Sequence, residues 1–316
     1  MRIVVVGPGA LGSLFAATLT LHSGAEGKEK HELWLLDHNE SRARLLTDKG
    51  LLLERGGELF SCPARATSSA AEIGGADLVL LCVKSYDVAS GLNRAAPLLG
   101  PGTLLLTLQN GIAHLDLMAA MARNCLAAVG VTSLGATLLA PGHVRYGGSG
   151  LTRVGFLHHP QTTSGAARLK ATADLLNSVG LQTEIVADIR SQVWAKLLVN
   201  VGINGLTAIH GCRNGVLLDM QEVRDRLTAA VREAAAVARA SGIRLAADPV
   251  AVTVEVCQAT RDNISSMLQD VRLKRPTEID AINGAVVALG HQLHLPVPMN
   301  ESLVRQVKEL ENNYLS

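Results

Sequence analysis

Residues 3–6, Ile-Val-Val-Val, form an uninterrupted β-branched run that stops at Gly7, the pattern of a short strand buried on both faces of a parallel sheet. Helical spacing of apolar positions follows from Ala10 to about His22. A polar, glycine-containing stretch over residues 23–30 leads to a second run at 33–36, which ends in Asp37. Strand, helix and strand of this size make one β-α-β unit. The alternation continues, with apolar runs at 78–83, 103–108 and 125–131 and helical spacing at 87–99 and 112–121. A parallel sheet with helices on both faces accommodates that order most economically. Residues 133–155, punctuated by Pro141-Gly142 and Gly147-Gly148, read as hairpins that extend the sheet. From residue 189 onward apolar positions recur at helical spacing, broken at 211–215, 241–242 and 295–298. The pattern predicts an α/β chain: a doubly wound parallel sheet over residues 1–187 and an all-helical second domain over residues 188–316.

Directly after the first run, Gly7-Pro8-Gly9-Ala10-Leu11-Gly12 has the form G-x-G-x-x-G. A strand before it and a helix after it supply the context that the chemistry needs. Gly7 allows a tight turn, Gly9 lets the backbone approach a pyrophosphate, and Gly12 lets helix and strand pack closely. The helix N-terminus then faces the anion with free N–H groups. The first domain is accordingly expected to be a Rossmann-type dinucleotide-binding domain, with residues 7–12 against the cofactor. In such sheets the end of the second strand selects the dinucleotide: an acid accepts a hydrogen bond from the ribose 2′-hydroxyl of NAD, whereas a nearby arginine accommodates the 2′-phosphate of NADP. Asp37 has the NAD-like place, yet Arg42 and Arg44 follow within two helical turns, so the local reading leaves both dinucleotides open. Asp37 also suits capping of the helix that follows. Lys84 and Asn110-Gly111 come directly after two later runs, hence on the ligand side of an open sheet or in ordinary loops.

Composition narrows the partners. Hydrophobic residues make up 48% and charged residues 18% of the 316, an ordinary globular balance. With 29 basic and 28 acidic residues the net charge is +1, and aromatics amount to 3%, so neither a phosphate-seeking field nor a base-stacking platform is expected. No nucleic acid and no membrane partner follow from it, and no apolar run near the start is long enough for a signal peptide. Cys62, Cys82, Cys125, Cys212 and Cys257 lack metal-ligand spacing and lie in apolar runs, as reduced buried thiols do, which points to the cytoplasm. The histidines are scattered, the His158-His159 pair included, and no metal is expected.

Candidate chemistry gathers in the second domain. Lys196, Asn200 and Asn204 recur every four residues within an apolar stretch. On a helix each such step drifts by about 40°, so one ammonium and two amides share a face over about 12 Å. They form either a solvated face or, with an acid supplied from elsewhere, a site for a small polar molecule. Residues 262–284 are dense in polar groups: Asn263 and Ser266 stand three apart on what would be one helical face, and Pro276 puts Glu278 in a helix first turn, where the dipole alone favours an acid. Arg275 and Asp280 read as exposed surface. The alanine-rich residues 227–237 suit packing between helices or against a second copy in a homodimer.

Taken together, Gly7-Pro-Gly-Ala-Leu-Gly12, Lys84, Gln109-Asn-Gly111, Trp194-Ala-Lys-Leu-Leu-Val-Asn200 with Asn204, Asn263-Ile-Ser-Ser-Met-Leu-Gln-Asp270 and Thr277-Glu-Ile-Asp-Ala-Ile-Asn-Gly284 resemble the ketopantoate reductase (2-dehydropantoate 2-reductase) family. The resemblance spans nearly the whole chain; the glycine loop is common to many dehydrogenases, while the two second-domain motifs are specific. It implies reduction of a small-molecule 2-oxo acid, 2-dehydropantoate, to (R)-pantoate with NADPH, a step toward pantothenate and coenzyme A. By the same resemblance Lys196 is the proton donor, Asn110, Asn200, Asn204, Asn214 and Ser266 hold substrate, and Glu278 reaches the lysine and cofactor. Asn110 and Ala136 are implied cofactor contacts. The departure is Asp37-His38-Asn39, where NADPH-using members often carry arginine, so NAD stays open. Two other readings fit the residues: a paralogue acting on another branched 2-oxo acid, and a non-catalytic dinucleotide-binding sensor, which the presence of both Lys196 and Glu278 disfavours.

Overall fold

The computed structural model describes residues 1–23, 31–157 and 163–315. The 24–30 part of the first polar stretch and His158-His159 lie outside the described residues. Two compact units are formed: Met1–Gln109 with His114–Ile189, and Asn110–Ala113 with Arg190–Ser316. The tetrapeptide Asn110–Ala113 packs with the helices although its neighbours in sequence belong to the sheet, and Ile112 seats against the helical core.

The first unit opens with β1 (Arg2–Val6), α1 (Ala10–Ser23), β2 (Glu32–Leu36) and α2 (Glu40–Lys49). After a hairpin of β3 (Leu51–Arg55) and β4 (Glu58–Cys62) come β5 (Ala66–Thr67), α3 (Ala70–Ile73), β6 (Leu78–Leu81), α4 (Val88–Ala95), β7 (Leu104–Thr107), α5 (Leu115–Met121) and β8 (Leu126–Thr132). β9 (Gly135–Ala140), β10 (His143–Gly148), β11 (Thr152–Phe156), α6 (Thr163–Ser178) and β12 (Thr183–Ile185) complete it. The main sheet runs β12-β11-β8-β7-β6-β1-β2-β5, with its last six strands parallel. This is the doubly wound order, and the winding reverses between β1 and β6, where such sheets bind ligands outside the strand ends. Register sets Val6 level with Leu36 and Leu81, so the segments at Gly7, Asp37 and Cys82 emerge side by side.

The expectation that residues 133–155 extend the main sheet needs correction. β9 and β10 do form a hairpin, but β10 pairs parallel with β3, giving a separate four-stranded sheet in the order β4-β3-β10-β9. Only β11 joins the main sheet, antiparallel to β8. Helix α1 explains the arrangement: Leu14, Phe15, Ala16, Ala17 and Leu19 share one core cluster with Ile3 and Val5 of β1 and with Leu51, Leu53 and Val144 of the smaller sheet. A helix apolar on every side is stable only when covered on every side.

The second unit is α7 (Ile189–His210), α8 (Gln221–Ala240), α9 (Pro249–Ala259), α10 (Ser266–Arg272), α11 (Ala285–Gln292) and α12 (Pro298–Leu315), with a 3-10 turn at Asn214–Leu218 and a π turn at Asp280–Gly284. It holds no strand among the described residues. Of the two uses considered for the alanine-rich residues 227–237, packing between helices is realised: Leu227, Ala230, Val231, Ala234 and Ala235 are buried in the unit's own core against α9, α11 and α12. Gly202 of α7 permits close approach there, since a Cβ would stand 2.7 Å from Val231 and 2.9 Å from Thr253. None of the described helices is long and apolar enough to cross a membrane.

Candidate active site

In the first unit the glycine loop has the geometry its spacing predicts. Gly7 has φ +87°, and a Cβ on it would stand 2.6 Å from the Val83 side chain. On Gly12 a Cβ would lie 2.3 Å from the Gly7 carbonyl oxygen, so helix and loop meet only without one. At Gly9 the same position is open, which leaves the backbone accessible. Ser13 Oγ donates to the Pro8 carbonyl at 3.1 Å and fixes the turn. The amides of the first turn of α1 have no acceptor within the helix, so this open, positively polarised end fits the diphosphate of a dinucleotide.

Beside the loop is a cavity of about 150 Å³ bounded by Val6, Gly7, Leu36, His38, Asp87 and Arg94, with Ser90 and Gly91 on its α4 side. His38, Asp87, Ser90 and Arg94 are lining residues that the sequence reading passed over. The signal is present in the sequence: positions 87, 90, 91 and 94 recur at helical spacing just after β6, the strand beside β1 at the switch point. Lys84 begins the 3-10 turn Ser85–Asp87 in this region. Ala136 sits on β9 and packs against the hydrophobic core of the unit. Cys82, against Gly12, is a free thiol that burial pushes up to about 12.

Asp37 is fully buried, and its carboxylate turns to Arg42. Oδ2 accepts from Arg42 Nε at 2.5 Å, and Oδ1 from Arg42 Nη2 at 2.6 Å and from the Asn39 amide at 3.0 Å. The residue that lines the cavity is its neighbour His38. Capping of α2 falls to Asn39, whose side chain accepts from the Arg42 amide at 2.8 Å, and not to Asp37. A bidentate guanidinium satisfies both carboxylate oxygens and makes the end of β2 locally neutral.

In the second unit Lys196, Asn200 and Asn204 lie on one helix, α7, as their spacing predicts. The opposite face carries Trp194, Leu197, Leu198 and Val201 into the core. Lys196 and Asn200 are half-buried and Asn204 is buried. Burial pushes the Lys196 ammonium down to about 8, against the pull of the Glu278 carboxylate, which raises it. Glu278, itself only 6% exposed, accepts a hydrogen bond from Asn110 Nδ2 at 2.9 Å. Asn110 reaches it because Gly111, with φ +80°, brings the chain against the π turn: a Cβ there would stand 2.0 Å from the Ala281 carbonyl oxygen. Lysine, carboxylate and amide from three distant segments are thus electrically and sterically linked.

The flanking polar residues are placed by backbone contacts. Asn214 opens the 3-10 turn, its amide donating to the Asn263 carbonyl at 3.1 Å and its Nδ2 to Thr260 Oγ1 at 2.9 Å. Asn263 and Ser266 do not share a helical face, contrary to their spacing, because Ser265 caps α10 by accepting from the Leu268 amide and the helix starts only at Ser266. The Ser265 hydroxyl also lies 2.7 Å from that of Thr207, which ties the start of α10 to α7. Glu278 precedes its helical turn instead of lying within it; its carbonyl accepts from Ala281 and Ile282.

Known proteins resemble this chain over nearly its whole length. Family models described as ketopantoate reductase PanE/ApbA and its C-terminal part match residues 3–159 and 188–311. The chain is 35% identical to a 2-dehydropantoate 2-reductase of Vibrio cholerae over 99% of both chains, and 34% identical to one of Halobacterium salinarum over 98% of both. Among solved structures, a PanE/ApbA family ketopantoate reductase from Ralstonia eutropha superposes with TM-score 0.87 at 30% identity over 100% of both chains. D-mandelate dehydrogenase in a ternary structure with NADH and anilino(oxo)acetate superposes with TM-score 0.88 at 27% identity, again over 100% of both. With models matching both halves and relatives aligned end to end, the chain belongs to the ketopantoate reductase family of dinucleotide-binding oxidoreductases.

Proposed function

We propose that this protein reduces 2-dehydropantoate to (R)-pantoate with NADPH, a step toward pantothenate and coenzyme A, and that Lys196 is the proton donor. The observation that carries the reading is the coupling of a half-buried lysine, brought down to about 8, to a buried Glu278 held by Asn110. A general acid works best when it titrates near the working pH, which an ordinary lysine does not. A dinucleotide held by residues 7–12 would supply the hydride for the carbonyl carbon. As the carbonyl π pair moves onto oxygen, the Lys196 ammonium stabilises the developing negative charge and gives up one proton to it. The lysine is left neutral and recovers its proton from water, aided by the nearby Glu278 charge. In this reading Asn200, Asn204, Asn214, Ser266 and Asn110 hold the polar groups of the substrate. Residues 7–12 hold the diphosphate, and Asn110 and Glu278 serve the cofactor as well as the substrate.

For the dinucleotide, the Asp37–Arg42 pair supports NADPH. Arg42 uses Nε and one Nη2 hydrogen on Asp37, and its side chain remains 35% exposed, so further N–H donors stay available to a 2′-phosphate. A second reading has one specific observation behind it: the structural neighbour D-mandelate dehydrogenase is bound to NADH. The purified protein assayed with 2-dehydropantoate against other branched and aryl 2-oxo acids, each with NADPH and NADH, decides between them. Fastest turnover with 2-dehydropantoate and NADPH is expected; a large preference for another oxo acid or for NADH overturns the corresponding half of the assignment.

A further inference from the structure

The buried stripe of α12 runs Asn300, Leu303, Val307 and Glu311, and its last member is a carboxylate where the pattern calls for an apolar side chain. At 4% exposure Glu311 must be compensated locally, since a buried carboxylate is costly when unpaired. Its Oε1 accepts from the Thr277 amide at 2.6 Å, and its Oε2 lies 3.1 Å from Lys308 Nζ. Thr277 is the residue immediately before Glu278. The contact belongs to a ladder. Reading α12 forward and the 275–283 segment backward, Asn300 Oδ1 accepts from Asn283 Nδ2 at 3.0 Å, Lys308 Nζ meets Asp280 Oδ2 at 2.5 Å, Glu311 takes the Thr277 amide, and Tyr314 Oη donates to the Arg275 carbonyl at 3.1 Å. Arg275 and Asp280, surface residues by sequence, are therefore two of its rungs.

We propose that α12 is the template for the segment that carries Glu278, and that Glu311 is the positioning residue which holds Glu278 beside Asn110 and Lys196. This rests on the reading of Lys196 and Glu278 as working groups of the reaction. Helix termini and loops hold side chains loosely unless their backbone is fixed, and displacement by about 1 Å can cost a hundredfold in rate. A backbone N–H is the right thing to grip, because it fixes the chain one residue from the acid without using the acid's own oxygens. The charged groups around Glu311 are Lys308, with Asp280 beyond it, and Tyr314, which burial and then Glu311 and Asp270 push upward. The charge that pulls Lys196 upward is Glu278.

The test is Glu311→Ala beside Glu311→Gln, with the full chain and NADPH. Removing the acceptor lets Glu278 drift, and the raising influence on Lys196 weakens. Glu311→Ala is expected to lower kcat by about ten- to a hundredfold and to move the alkaline limb of kcat/KM to lower pH. Glu311→Gln keeps an acceptor for Thr277 and should restore most of kcat and the limb. A folded Glu311→Ala with wild-type kcat overturns the proposal, and so does a loss of kcat with an unmoved limb, which marks a purely structural role. If Glu311→Ala fails to fold, Tyr314→Phe carries the same prediction on a smaller scale: a downward shift of the limb at unchanged melting temperature supports the template, and an unmoved limb overturns it. Lys196→Ala assayed alongside separates the levels. Retained turnover there sinks the underlying reading, whereas lost turnover with silent Glu311 variants sinks only this inference.

Discussion

The two units build their candidate sites from different materials. In the first, the glycine loop is six consecutive residues whose work is done by backbone: an open approach at Gly9, a positive φ at Gly7, and a contact at Gly12 that tolerates no Cβ. In the second, Lys196, Asn110 and Glu278 come from three segments, and 168 positions separate Asn110 from Glu278. In the proposed function the first region binds by shape and dipole, and the second acts by the electrostatics of particular side chains. Changes in the former should therefore appear in cofactor binding, and changes in the latter in kcat and its pH dependence.

The largest expected effect is that of Lys196→Ala, which should lower kcat by about 10²- to 10⁴-fold while the KM for the dinucleotide stays near wild type. Steady-state kinetics with each substrate varied checks both parts. A loss confined to cofactor KM would erase the distinction between the units. Next come two glycine changes. Gly111→Ala drives a Cβ onto the Ala281 carbonyl and forces an unfavourable positive φ, so Asn110 should lose its grip on Glu278 and kcat should fall by about ten- to a hundredfold. Gly12→Ala pushes against the Gly7 carbonyl and should instead raise the dinucleotide KM by about tenfold or more, leaving the pH limb of kcat in place.

Smaller, and aimed at the first unit alone, is Arg42→Ala. Loss of charge-assisted bonds to a 2′-phosphate should weaken NADPH by about ten- to a hundredfold and NADH little, as measured by equilibrium titration of each dinucleotide. Equal weakening of both would show that Arg42 serves only to satisfy Asp37. The smallest effect concerns stability. His294, the residue after the C-cap of α11, has φ +56°, a conformation that glycine adopts without a Cβ penalty, so His294→Gly should raise stability by about 0.5 kcal/mol in a denaturant titration.

The same contrast explains what could be read from the amino-acid order. Strand runs such as residues 3–6 and 78–81 and the four-residue stripe on α7 are local periodicities, and local periodicity survives folding almost unchanged. The β3–β4 hairpin escaped notice although Gly56-Gly57 marks its turn, because its strands mix Leu with Glu, Arg and Ser and alternate only weakly. The smaller sheet was hidden for a further reason: β10 finds β3 across some ninety residues, a pairing no window contains. In the second unit Glu278 reads in sequence as a dipole-favoured acid, and no local pattern singles out Glu311. Only packing reveals that the first meets Asn110 and the second holds the Thr277 amide. Asp37 was legible as a strand-end acid, but not as one already taken by Arg42.

In the proposed reaction Lys196 delivers the proton. Its most direct test is the pH dependence of kcat/KM for 2-dehydropantoate at saturating NADPH. A required acid titrating at about 8 predicts a level profile at lower pH that falls tenfold per unit above that value, and the limb should vanish in Lys196→Ala. A rate that stays level to about pH 10, where an ordinary lysine titrates, or a limb near 8 that persists without Lys196, would contradict it.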